Sequence, residues 1–142
     1  MFTTMIINTV LVAIVVMLHY EILRTVSNIL PKLTIAFRLR IVVGIFGALL
    51  AHIIEIWIFA LAYYLMLQWD LGEFEGNFDG SLLDCAYFSF STFTTLGFGD
   101  IAPLGPIRFL TGLESLTGLV LITWSASFLF IEMTKFWNHR EA

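Results

Sequence analysis

Residues 94–100 read Thr-Thr-Leu-Gly-Phe-Gly-Asp and are the stretch of this chain best suited to chemistry. Two glycines flank one aromatic, and neither helix nor strand periodicity runs through them. Glycine at alternate positions admits φ values that other residues avoid, so successive carbonyls can face the same way. The loop lies between strongly apolar segments, and irregular backbone at membrane depth is tolerated only where protein buries it or where it lines a cavity. The chemistry implied is coordination by backbone oxygen, a carbonyl-lined path for an ion.

A second set of ionisable residues sits inside apolar runs: His19, His52, Glu55 and Glu114. His52 and Glu55, at i and i+3, share one helix face. A carboxylate in mid-span costs about 2.5–3.5 kcal/mol on insertion scales, so it should face protein or water and find a partner. A His52–Glu55 or interhelical hydrogen bond that fixes packing is the plain reading. A proton sensor at His52 is the sharper one, because histidine titrates near physiological pH. Glu114 can also support the 94–100 loop from behind by bonding a Ser or Thr of the preceding helix. An intramembrane metalloenzyme using His19, His52, Glu55 and Glu114 is disfavoured. Metal sites need three or four converging ligands, and His-x-x-Glu alone supplies two.

The elements that must position these residues follow from composition. Of 142 residues, 59% are hydrophobic and 13% charged, and mean hydropathy is +0.92. A soluble domain would be nearer half apolar and a quarter charged, so the chain reads as an integral membrane protein with lipid as its surroundings. Seven Lys and Arg residues without a basic aromatic patch argue against nucleic acid as a partner. The single cysteine, Cys85, excludes an intrachain disulfide and reads as an inert buried thiol.

Residues 1–23 predict a retained transmembrane helix. A cleaved signal peptide would need a basic start and a small-residue cleavage site, and neither is present. Residues 24–40, with Arg24, Lys32, Arg38 and Arg40, predict a basic cytoplasmic linker broken at Pro31. Residues 41–69 predict a second span ending in Tyr63, Tyr64 and Trp69, placed as headgroup anchors. Residues 70–81 predict an acidic external loop. Residues 82–94 are too short to cross and too apolar for a surface loop, so they predict a re-entrant helix capped by Asp84. Residues 107–131 predict the last span, and residues 132–142 a cytoplasmic tail. Six of the seven Lys and Arg residues then fall on one side, with only Arg108 opposite. The expected fold is an all-α membrane protein of three spans and one re-entrant hairpin, N-terminus outside and C-terminus cytoplasmic, in the plasma (inner) membrane.

On that topology, residues 95–100 resemble the selectivity filter of potassium channels, and residues 87–94 (Tyr-Phe-Ser-Phe-Ser-Thr-Phe-Thr) resemble the pore helix before it. The Gly-Phe-Gly variant is similar to that of two-pore channels and small prokaryotic channels, and the likeness covers residues 41–131. The resemblance implies outer helix 41–69, pore helix 82–94, filter 95–100 and inner helix 107–131, assembled as a fourfold homotetramer. It implies potassium ions held by Thr95, Leu96, Gly97 and Phe98, with Gly97 and Gly99 supplying left-handed φ values, and no other cofactor. Filter support falls to Tyr87, Ser91, Thr94, Asp100 and Glu114. Two departures stand out: Phe98 replaces the commoner tyrosine, and Ser91 stands where some relatives carry a glutamate. Both predict a selective but less rigid filter, with Tyr87 left to reach Asp100. On the inner helix, Gly118 reads equally as a hinge or as a close-packing residue. Leu119, Ile122, Ala126 and Phe130 share a stripe facing the pore, with Phe130 as an inner constriction.

The function expected is passive potassium conduction by a channel, not an enzyme. A weakly selective cation channel and a non-conducting partner subunit are the alternatives. The first span carries no Lys or Arg ladder, and residues 132–142 are short. Gating is therefore expected from the filter, the inner helix, the lipid or a separate regulatory protein.

Overall fold

A computed structural model describes residues 2–137. Four helices and two short strands follow in order: α1 (Phe2–Ile29), a single 3-10 turn (Leu30–Lys32), α2 (Phe37–Gln68), β1 (Glu73–Gly76), α3 (Leu82–Phe93), β2 (Ile101–Leu104) and α4 (Ile107–Trp137). Among the described residues, α1, α2 and α4 are the helices long and apolar enough to cross a membrane. The twelve residues of α3, at about 1.5 Å each, reach only about 18 Å, short of a ~30 Å hydrocarbon layer.

Several boundaries differ from the expectations, each for a local reason. The first helix does not stop at residue 23, because Arg24, Thr25, Ser27 and Asn28 are polar without being helix breakers. It runs on until Pro31, which enters the 3-10 turn where its missing N–H costs nothing. The second helix starts earlier, at Phe37, so the linker of 24–40 shrinks to residues 33–36 between helical segments. The last helix continues through Glu132 and Lys135, whose side chains pair at 2.6 Å across one turn, and reaches Trp137. The tail residues 138–142, with His139 and Arg140, lie outside the described residues.

The cap of α3 is Ser81 rather than Asp84. Ser81 holds the extended backbone of a cap (φ −79, ψ 156), and its Oγ accepts the Asp84 N–H at 3.1 Å. Asp84 sits three residues on, where its Oδ2 accepts the Asp79 N–H at 2.7 Å. The pattern Ser-x-x-Asp before an apolar run is itself a cap signal.

The two-stranded sheet was not expected. β1 and β2 pair antiparallel, Glu73 opposite Leu104 and Gly76 opposite Ile101. It ties the acidic loop to the exit of the 94–100 loop, since the Asn77 N–H also bonds the Asp100 carbonyl at 3.1 Å. Pro103 is tolerated because the sheet has only two strands and a free edge.

α2 and α4 each touch the other three helices. Between them and α3 lies an aromatic core: Tyr63 meets Phe88 edge-on at 5.3 Å and Phe74 at 5.6 Å, and Phe59 meets Phe93 at 6.3 Å. Tyr63 is therefore no headgroup anchor. It is fully buried, whereas Trp69 at the end of α2 is exposed. Cys85 shares this core, and burial, then the neighbouring Asp84 carboxylate, push its thiol up to about 11.

Candidate functional site: the loop of residues 94–100

The loop hangs from the C-terminal end of α3. Its backbone alternates in hand, with positive φ at Thr95 (58), Gly97 (58) and Gly99 (80) but not at Leu96 or Phe98. Left-handed Gly97 and Gly99 were expected; the same conformation at Thr95 was not, because it is uncommon for a residue with a branched Cβ. The amides explain how it is held. Thr95 N–H donates to the Thr92 carbonyl at 2.9 Å, and Leu96 and Gly97 N–H both donate to the Ser91 carbonyl, at 2.9 and 3.2 Å. Phe98 N–H donates to Ser91 Oγ at 3.3 Å. Four consecutive amides thus turn back to the end of α3, and because a trans peptide sets each carbonyl opposite the N–H of the next residue, the carbonyls of residues 94–97 turn the other way. Among the described residues, no hydrogen bond uses the carbonyls of Thr95, Leu96, Gly97 or Phe98. Backbone carbonyls that receive no donor can coordinate a cation.

Supports surround the loop on its other side. Tyr87 stacks on Phe98, centroids 6.0 Å apart and planes 4° from parallel, while its hydroxyl donates to Asp100 Oδ2 at 2.9 Å. That hydrogen bond, then desolvation, raises the Tyr87 phenol above its ordinary value. Thr94 Oγ1 donates to the Phe90 carbonyl at 2.7 Å and tightens the last turn of α3. Ser91 has no carboxylate to offer Asp100, yet its carbonyl and hydroxyl carry three of the four loop amides. A hollow of about 260 Å³ remains behind the loop, lined by Ser91, Thr95, Asp100, Thr111 and Ser115 among others. With so little filling behind it, the Tyr87–Asp100 bond is the side-chain tie across the loop's far end. Tyr87→Phe should therefore loosen residues 98–100, read as faster amide hydrogen exchange there than in the parent. Exchange equal to the parent's would show that the tie is dispensable.

α4 cups the same end of α3. Ser115 Oγ donates to the Thr92 carbonyl at 3.0 Å, and Gly118 packs against Phe93 so closely that a Cβ would collide with the Phe93 carbonyl. Of the two readings of Gly118, close packing has a visible cause. Glu114 lies one turn away, fully buried, receiving the Tyr63 hydroxyl on Oε2 at 2.6 Å, with Ser89 Oγ in hydrogen-bond contact with Oε1. The pore-helix contact expected of Glu114 is present; Tyr63 as its second partner was not foreseen. Leu119, Ile122, Ala126 and Phe130 are all exposed within the chain, as is the whole 94–100 loop.

His52 and Glu55 do bond within α2, at 3.0 Å. His19 of α1 joins them, with Nδ1 2.7 Å from Glu55 Oε1. Sequence spacing could not reveal this third member, because it comes from another helix; its only signal was a histidine in an otherwise apolar span. Glu114 belongs to the other cluster, so the four candidate metal ligands are divided between two places. Trp124 packs on His19 (5.3 Å) and Tyr20 (6.5 Å).

Comparison with known proteins places this arrangement. Residues 51–135, more than half of the chain, match the family model described as "Ion channel". The inward rectifier potassium channel Kirbac3.1 of Paramagnetospirillum magnetotacticum is 34% identical over 79 residues, covering 55% of this chain and 25% of the relative. The chain thus spans about a quarter of that relative's length.

Proposed function

Because the chain belongs to the ion-channel family of potassium-channel pore modules, we propose that it forms a potassium-selective channel of four identical chains. The observation that carries this reading is the loop backbone: positive φ at Thr95, Gly97 and Gly99, with the amides of residues 95–98 tied back to α3. Potassium sheds its water only where other oxygens replace that shell. In this reading the carbonyls of Thr95, Leu96, Gly97 and Phe98, with the Thr95 hydroxyl, provide rings of such oxygens, and Gly99 completes the loop's turn outward. One loop supplies one quarter of each ring, and closed rotational symmetry supplies the rest.

Other features agree. The loop and the stripe of Leu119, Ile122, Ala126 and Phe130 are uncovered in one chain, as surfaces around a shared axis must be. The C-terminal end of α3, partly negative by its dipole, favours a cation beneath the loop. The charge asymmetry of the sequence supports an orientation with the two-stranded sheet and Asp100 outside, the α1–α2 turn inside, the N-terminus outside and the C-terminus cytoplasmic. Lipid of the plasma (inner) membrane surrounds the assembly.

The test is flux from liposomes holding the purified tetramer. Potassium should leave at least about ten times faster than sodium, which corresponds to roughly 1.4 kcal/mol of discrimination. Equal rates would replace this reading with a weakly selective cation channel. A verified tetramer passing neither ion would make the chain a non-conducting partner.

A further inference from the structure

The joint between α1 and the rest of the bundle has the donor set of a metal site. Glu55 is fully buried, and each of its carboxylate oxygens meets a different imidazole, His19 Nδ1 at 2.7 Å and His52 Nδ1 at 3.0 Å. One ligand atom from each of the three residues lies within 4.8 Å of the others. The two rings stack with centroids 5.3 Å apart and planes 27° from parallel. Ser125 Oγ of α4 stands 3.4 Å from His19 Nε2, and Trp124 and Phe93 wall the two imidazoles.

Donor chemistry narrows what such a cluster can take. Two imidazole nitrogens and one carboxylate suit a borderline dication held by three protein ligands with a fourth position open. Calcium asks for six to eight oxygens, and magnesium for an octahedral set rich in water, and this apolar pocket offers neither. Ligating histidines commonly have a partner on the other ring nitrogen that fixes the tautomer, and Ser125 stands there for His19.

We propose that His19, His52 and Glu55 bind one transition-metal dication of the zinc class per chain and thereby fasten α1 to α2. Without the metal, each Nδ1–H donates to Glu55, and His19 Nε2 accepts the Ser125 hydroxyl. With it, both Nδ1 lone pairs and the carboxylate face the metal, each imidazole carries its proton on Nε2, and Ser125 Oγ accepts from His19. No net proton is released, and no bond but coordination forms. The site needs no particular ion selectivity in the channel, so its fate is separate from that of the conduction reading.

The experiment is titration of the chelator-stripped, purified full chain with Co²⁺. One Co²⁺ per chain is expected, with the visible absorption of a four-coordinate site, displaced by Zn²⁺ and not by Mg²⁺. The thermal midpoint should rise with bound metal. His19→Ala and His52→Ala should each weaken binding at least about 100-fold, since outer-shell partners alone carry roughly 10–100-fold; Ser125→Ala should weaken it about tenfold. His139→Ala should change nothing. Wild-type protein that takes up no Co²⁺ would overturn the proposal and leave a hydrogen-bonded joint between helices. Uptake unchanged in His19→Ala and His52→Ala, or lost in His139→Ala, would overturn it as well. If the histidine variants fail to fold, the wild-type spectrum and the mild Ser125→Ala substitution still decide.

Discussion

In the proposed tetrameric channel, Gly118→Ala should cost most of the flux, by at least about tenfold, and should loosen the assembly measured by size-exclusion chromatography. Two effects oppose each other. Alanine stabilises a helix by roughly 1 kcal/mol over glycine, whereas overpacking a filled site costs about 1–3 kcal/mol. The collision wins here because the atom in the way is the Phe93 carbonyl oxygen, backbone at the end of α3. It cannot swing aside as a side chain could, and moving it moves Thr94 and the loop. Gly112, on the same helix, has open space around it within the chain, so Gly112→Ala should leave the fold of a single chain intact. A Gly118→Ala channel with parental flux and assembly would show that α4 and α3 do not need this close approach.

The second large effect belongs to Glu114, where alanine and glutamine should behave in opposite ways. Glu114→Ala takes the 2.6 Å acceptor from the Tyr63 hydroxyl, which is left with Thr111 Oγ1 at 3.4 Å, while Ser89 keeps the Ile56 carbonyl at 2.9 Å. One poorly satisfied buried hydroxyl costs about 1–3 kcal/mol, to which the cavity left by the side chain adds. The expected result is little or no tetramer and no flux. Glutamine is different because of the protons. Ser89 has one hydroxyl proton and two acceptor neighbours, the Ile56 carbonyl at 2.9 Å and Glu114 Oε1. All groups are satisfied together when the proton between Ser89 and Glu114 comes from the carboxyl side, leaving the Ser89 proton for Ile56. A glutamine amide donates in that place and still accepts from Tyr63. Glu114→Gln should therefore keep tetramer and flux near the parent's. Collapse of both variants alike would mean that the site needs a carboxylate charge.

Much of the architecture was readable because the membrane imposes simple rules. Span lengths, the short re-entrant α3, and the charge imbalance follow from apolar run length and from where Lys and Arg fall. The loop was readable for a related reason: alternate glycines have few uses between two apolar helices. Helix ends were less legible. Residues 24–29 are polar enough to look like a linker, and polarity alone does not stop a helix; Pro31 does. The two-stranded sheet was invisible because each strand is four residues long and gains its partner only after the chain has passed through α3 and the loop.

The candidate site divides the same way. By itself the sequence determined the loop, its left-handed glycines and the presence of ionisable groups in apolar spans, all properties of local backbone freedom and of the cost of burying charge. Only the tertiary structure decided which groups meet. It turned Tyr63 inward to Glu114, made Ser91 the acceptor for the loop amides, gave Thr95 its left-handed conformation, and brought His19 to Glu55. The physical reason is that hydrogen bonds between helices depend on rotation and depth in the bundle. Those are set by how whole faces pack, and no single helix carries that information in its own spacing.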